Sequence, residues 1–207
     1  MESSHSGPLA GALGVKQVLK SLFRLLFLIL AFPLAALSMF GRLRGPYLFG
    51  AQFSALAPAM PGNYLRTAYY RLTLAGFDSS SRIEFGSYFA HASAKVGPNV
   101  YIGSYCILGR TQIGARTQIA SAVQILSGSR QHGRDSEGRI ESSNEANFEE
   151  ISIGADCWLG AGAIVMAPVG EGTTIGAGAI VVKPIPAGVV AVGNPAQVLS
   201  ARVETAR

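Results

Sequence analysis

The stretch "IGADCWLGAGAIVMAPVGEGTTIGAGAIVV", residues 153–182, places Ile153, Leu159 and Val165 six apart. Val169, Ile175 and Val181 then repeat the same step. A strand has period two and a helix period 3.6, so a period of six is neither on its own. It fits a short strand plus a tight corner, repeated. Working outward, Val96 and Ile102 are six apart, and so are Ile107, Ile113, Ile119 and Ile125. Two steps are irregular: Ile102 to Ile107 is one residue short, and Val165 to Val169 is two short. A Gly or Ala usually follows the aliphatic residue, as at Gly97, Gly103, Gly114, Ala120, Gly154, Gly160, Gly170 and Gly176. Small residues there suit a corner where a side chain would crowd the backbone. Stacked units of this kind bury a continuous core that no single unit could bury alone. Cys106, Thr117, Val123 and Cys157, each two positions before a large residue, read as smaller interior fillers. Neither cysteine lies in a CxxC pair, so a disulfide framework or metal site is not expected.

The ladder stops after Ile125 and resumes at Ile153. Between them lies the polar run 126–150, with "SGSRQHGRDSEG" (127–138) and one histidine, His132. A regular solenoid has no polar cleft, and an excursion can supply one.

The first third of the chain differs in character. Residues 1–77 hold Lys16, Lys20, Arg24, Arg42, Arg44, Arg66 and Arg71 against Glu2 alone, which accounts for the formal net charge of +5. "LLFLILAFPLAALSMF" (25–40) carries no charge. As a helix it would span about 24 Å, short of a hydrocarbon core of about 30 Å. Adding Val18 to Arg24 lengthens it, because Lys20 and Arg24 could snorkel. Pro33 predicts a kink. Three membrane readings stay open: a transmembrane helix, a one-sided interfacial or re-entrant anchor, and a secretory signal with Ala55-Leu56-Ala57 as a poor cleavage site. A buried core or oligomerisation helix is the fourth. A retained anchor fits best, the one-sided form slightly ahead. Basic residues flank the apolar run on both sides, so charge does not orient it. "GNYLRTAYYRLTLAGF" (62–77) sets Leu65, Ala68, Tyr69 and Leu72 at helical spacing and reads as an amphipathic connector. A basic, apolar segment points to an anionic membrane surface. No lysine-rich run or zinc-finger spacing points to nucleic acid.

The repeat and its ending resemble the hexapeptide-repeat acyltransferases, in particular the subgroup of maltose, galactoside and nodulation-factor acetyltransferases. Trp158-Leu159-Gly160 matches the Trp-Ile-Gly of that subgroup. Ile175-Gly176-Ala177-Gly178 and Val181-Val182-Lys183 match its last coil, and Gly193-Asn194-Pro195-Ala196 its exit. The resemblance covers about residues 83–200. It implies a mainly β fold, a left-handed parallel β-helix of hexapeptide coils with a long catalytic loop. An N-terminal α-helical membrane-associated segment would precede it and a short C-terminal helix would end it. The expected organisation is a disordered start (1–15), a helical anchor and connector (16–77), the β-helix (78–200, with loop 126–150) and the terminal helix (195–207).

The same resemblance implies transfer of an acetyl group from acetyl-CoA, the only co-substrate expected, to a hydroxyl, with no metal. His132 stands where the family places its general base. Backbone N–H groups around Ser127 to Ser129 are candidates for the oxyanion donor, and Asp135, Glu137, Glu149 and Glu150 for an acid that holds the imidazole. Cofactor-binding positions carry over to Ala161, Ala177, Val182 and Lys183. Val182 replaces a common Thr, and a family arginine falls at Ser200, where Arg202 could substitute. His91 and His5 read as incidental. A homotrimer is implied, because relatives bind CoA between subunits. The membrane segment, in place of a sugar-closing helical one, points to a membrane-linked saccharide, glycolipid or surface-polysaccharide precursor as acceptor. Acetyl-CoA is cytosolic, so the cytoplasmic face of the inner membrane is the expected location. An acyl-carrier-protein donor, N-acyl transfer and a non-catalytic scaffold remain alternatives. A γ-carbonic-anhydrase-like zinc site is excluded by the lack of a third histidine in the repeat region.

Overall fold

A computed structural model of the chain describes residues 8–201, with side chains over 17–199. Three helices come first: α1 (Pro8–Leu37), α2 (Arg44–Ala55) and α3 (Ala59–Thr73). Beyond them runs a left-handed parallel β-helix of triangular section, with short strands on three faces. Each interior aliphatic residue stacks on its equivalent in the next coil. The first face carries Phe77, Val96, Ile113, Ile153, Val169 and Ile185 in register. The second carries Ile83, Ile102, Ile119, Leu159, Ile175 and Ala191. The third carries Phe89, Leu108, Ile125, Val165 and Val181. Almost all are fully buried. At roughly 1.5–3 kcal/mol per buried side chain, this column is the main source of stability.

The position after the interior residue is small for a steric reason. At Gly160 an added Cβ would lie 2.4 Å from the backbone nitrogen of Ala177 in the next coil. The Gly160 N–H meanwhile donates to the carbonyl of Ile175 at 2.7 Å. The left-handed corner conformation falls two residues later, as at Gly162 (φ +70°) and Ala122 (φ +60°). Cys106 and Cys157 are buried in the column, where desolvation raises both thiols and keeps them unreactive.

Three expectations change. Ile107 is not an interior residue: its side chain is exposed, and Leu108 fills the column. The short step therefore lies between Leu108 and Ile113. The helix α1 begins at Pro8, inside the stretch read as a disordered start; residues 1–7, with His5, lie outside the described residues. The described part of the segment read as a terminal helix (195–207) contains a strand instead. Gln197–Ala201 pairs antiparallel with Val189–Val192 at the end of the second face. It covers an edge that would otherwise stay open to any passing strand. Residues 202–207, with Arg202, are outside the described part.

The helices lie across the first end of the solenoid. Arg24 reaches the Ser79 carbonyl at one corner of the first coil (3.5 Å), and Gly41 packs beside Ala92 at another. The helix between them runs through Pro33. Tyr47 donates to the Phe89 carbonyl (3.0 Å), and Gly86 N–H to that of Ala55 (2.9 Å). Tyr47, Tyr69 and Tyr70 fill the interface, with burial pushing Tyr69 up to about 12. Only 11 % of the most apolar window of Gln17–Leu37 is buried, so a core-helix role does not account for it. Leu26, Ile29 and Phe32 of α1 are exposed, as are Phe49 and Phe53 of α2.

Candidate active site

The loop leaves the third face after Ile125 and re-enters the first at Ile151, so it stands on the corner between them. His132 lies at the base of a small hairpin. Glu141 N–H donates to the Gly133 carbonyl, and Asp135 N–H to that of Arg139, both at 3.0 Å. The Asp135 carboxylate closes the hairpin by accepting the N–H groups of Glu137 and Arg139 at 2.9 Å each. Glu137 pairs with Arg139.

His132 Nδ1 lies 3.0 Å from the carbonyl oxygen of Glu141. A carbonyl only accepts, so Nδ1 carries the proton and the neutral ring presents Nε2 as a base. The imidazole is thus held by a main-chain oxygen and not by Asp135, Glu137, Glu149 or Glu150. His132 opens into a pocket of about 470 Å³, shared with Arg130, Gly133, Ala146, Asn147, Phe148 and Glu149.

Phe148 anchors the loop. Its ring meets that of His91 edge-on at 5.3 Å and lies 5.5 Å under the Arg110 guanidinium. Glu145 bridges Arg110 and Arg44 of α2 at 3.3 Å each. Ser127 Oγ accepts from Arg110 N–H (2.9 Å), and the Ser127 carbonyl from Glu149 N–H (3.0 Å). Burial, with the Arg110 cation second, holds the His91 imidazole below its ordinary value. His91 packs beneath the loop against Phe148. Sequence reasoning missed Phe148 and the role of His91. The signal was there: Phe148 is the one Phe, Tyr or Trp among residues 126–150.

The four carried-over cofactor positions divide. Val182 and Lys183 are exposed on the His132 corner, in the fifth coil, where the chain passes from Val181 to Ile185. Ala161 and Ala177 are exposed on the corner between the second and third faces, one coil apart, with Gly178 N–H donating to the Ala161 carbonyl at 2.9 Å. One chain does not bring all four together.

No family model matches the sequence, and no curated protein matches it. Solved structures do. A maltose O-acetyltransferase from Clostridium difficile 630 is 25 % identical with a TM-score of 0.64, over 82 % of this chain and 91 % of its own. A hexapeptide-repeat-containing acetyltransferase from Vibrio cholerae gives 0.63 at 17 % identity, over 82 % and 94 %. A galactoside acetyltransferase in complex with coenzyme A gives 0.56 at 22 % identity, over 77 % and 80 %. The coils, the excursion between the third and fourth of them and these likenesses lead to one conclusion: the chain has the hexapeptide-repeat acyltransferase β-helix fold, with one long apolar helix on its N-terminal side.

Proposed function

We propose that the protein is an acetyl-CoA-dependent O-acetyltransferase acting on a hydroxyl of a membrane-linked saccharide, glycolipid or polysaccharide precursor. The observation that carries this reading is the hydrogen bond from His132 Nδ1 to the Glu141 carbonyl, which leaves Nε2 basic in an open pocket. An alcohol is a weak nucleophile until a base takes its proton. Nε2 accepts that proton as the acceptor oxygen attacks the thioester carbonyl. The tetrahedral oxyanion that forms needs N–H donors, and the backbone from Ser127 to Ser129 is the candidate source. Collapse breaks the carbon–sulfur bond, and the imidazolium returns the proton to the CoA thiolate.

The division of the cofactor positions between two corners supports a site shared by two copies of the chain, and hence the homotrimer. Lys183 would face the CoA phosphates, while Ala161 and Ala177 would let the pantetheine arm lie close. Arg24 and Gly41, which bracket the apolar stretch 25–40, both contact the first coil, and this favours the one-sided anchor over a helix crossing the bilayer. The carbonyls of Ala55 and Ala57 both accept from Arg66, which builds the suggested signal-cleavage site into the fold. The solenoid then faces the cytosol, where acetyl-CoA is made.

Calorimetric titration of acetyl-CoA into the detergent-purified protein tests the donor. Saturable binding, weakened about tenfold in Lys183→Ala, is expected. Absence of binding at about 1 mM, where the binding free energy is only about 4 kcal/mol, overturns the CoA-dependent reading.

The anchor of the loop gives a second prediction. Phe148→Ala is expected to lower kcat by roughly 10- to 100-fold, since small misplacements of a catalytic group cost that much. KM for acetyl-CoA should hold, and Phe148→Tyr should keep most of the rate. Equal losses in the Ala and Tyr variants in steady-state kinetics would contradict this positioning role.

A further inference from the structure

A second pocket, of about 360 Å³, lies away from the catalytic loop, between α1, α3 and the corner of the first coil that joins its first and second faces. Lys20 and Arg24 reach it from α1, Arg71 from α3, and Arg82 and Ser79 to Ser81 from the coil. All four cations are exposed. Arg82 is paired with Glu84 at 3.4 Å, and Glu84 also accepts from Asn63. Asp78 is the other nearby acid. Its carboxylate is held low first by hydrogen bonds from the Ser80 hydroxyl (2.6 Å) and N–H (2.8 Å), then by Arg71 and Arg24. Among the described residues, Lys20, Arg24 and Arg71 form no ion pair within 4 Å.

The rest of the pocket wall is mixed, with Asn63 and Thr67 among largely apolar side chains. Leu28, Met60 and Tyr64 line it, and Tyr64 stacks on Phe27 at 5.6 Å and meets Phe23 at 6.0 Å. Phe23 is exposed, and so are Leu26, Ile29 and Phe32 further along the same helix. A cationic, serine-lined hollow therefore opens beside an apolar face of bilayer character. That combination matches one amphiphile: an anionic headgroup in the hollow, with its hydrocarbon along the helix.

We propose that Lys20, Arg24 and Arg71, with Ser79 to Ser81, form a binding site for the phosphate headgroup of an anionic membrane lipid. The site is separate from that of His132, whose loop stands on the corner between the third and first faces. It rests on the interfacial-anchor reading above and adds headgroup selectivity to it. The cations hold the phosphodiester by charge-assisted hydrogen bonds, and the neighbouring apolar side chains hold the acyl chains.

Flotation of the full-length protein with vesicles tests the site. One set is phosphatidylcholine alone and the other contains phosphatidylglycerol. The wild type is expected on both, with a clear preference for the anionic vesicles. At about fivefold per cation, Arg24→Gln/Arg71→Gln should lose about 25-fold on anionic vesicles and little on neutral ones. Lys95→Gln/Arg116→Gln removes the same charge from the solenoid and should keep the preference. Equal losses in both pairs would mean diffuse charge attraction and overturn the site, as would an unchanged Arg24→Gln/Arg71→Gln variant. Stabilisation by millimolar inorganic phosphate, with no preference between vesicles, would make the hollow a soluble-anion site and overturn the lipid assignment. Ile29→Glu should abolish binding to both vesicle types. Failure of the wild type to float with either would overturn the anchor reading itself, an outcome separable from loss of selectivity alone.

Discussion

His132→Ala is expected to slow acetyl transfer by about 100- to 10,000-fold, the usual contribution of a positioned general base. The loss should fall on kcat. The ring is exposed and its one protein hydrogen bond is to the Glu141 carbonyl, so its removal leaves the coils and the loop anchor at Phe148 in place. Acetyl-CoA affinity should stay within a few-fold, because the cofactor positions lie on other coils. A complementary measurement reads the tautomer. Nitrogen-15 NMR of the histidine-labelled protein should show Nδ1 protonated and Nε2 bare in neutral His132. Turnover unchanged by His132→Ala would remove the general base and favour the scaffold reading. A protonated Nε2 in the neutral ring would contradict the orientation given to the imidazole.

Arg66→Met is expected to cost about 3–5 kcal/mol, the range for removing one partner from a buried charged network. Arg66 is wholly buried between the helices and the first coil. Its Nε donates to the Ile83 carbonyl at 2.8 Å, and its Nη1 to those of Ser54, Ala55 and Ala57 at 3.1, 3.3 and 2.6 Å. Nη2 donates to Asn63 Oδ1. Burial pulls the guanidinium below its ordinary value, and Glu84 opposes this. Methionine fills the volume but leaves the Ile83 and Ala57 carbonyls without their donor, while Ser54 and Ala55 keep only the N–H groups of Ala57 and Gly86. For a chain of this size the midpoint should drop by roughly 10 °C, measured by scanning calorimetry. Hydrogen exchange should rise in α2 and α3 before it rises in the coils. Arg66→Lys should not rescue, since a single ammonium cannot reproduce the fork. A midpoint within about 1 °C of the wild type would show that the helices are held chiefly by their apolar contacts.

Much of the coil architecture was legible because each interior position needs a branched aliphatic residue with a small neighbour after it. The one error of frame, Ile107 for Leu108, arose where two aliphatic residues adjoin. Gly109 marks the correct one, since the small residue follows the buried side chain. The place of the loop bearing His132 was legible as a break in the period. Its internal wiring was not: the partner of His132 is a main-chain carbonyl nine residues on, and any residue type presents one. The terminal strand escaped because Gln197–Ala201 has no periodic pattern of its own. It is fixed by the open edge beside it. The helical layer across the first coil rests on Arg66, which reads in sequence as one more basic residue of a basic segment.

The layer of helices is also wired to the loop. The excursion bearing His132 leaves two coils above the covered one, then reaches back down to it: Phe148 packs on His91 of the first coil, and Glu145 pairs with Arg44 of α2. The His132 pocket is lined by the Ala146 to Glu149 stretch that follows Glu145. A tilt of α2 would therefore move the floor of that pocket, so whatever surface the apolar face rests on would bear on the posture of the imidazole.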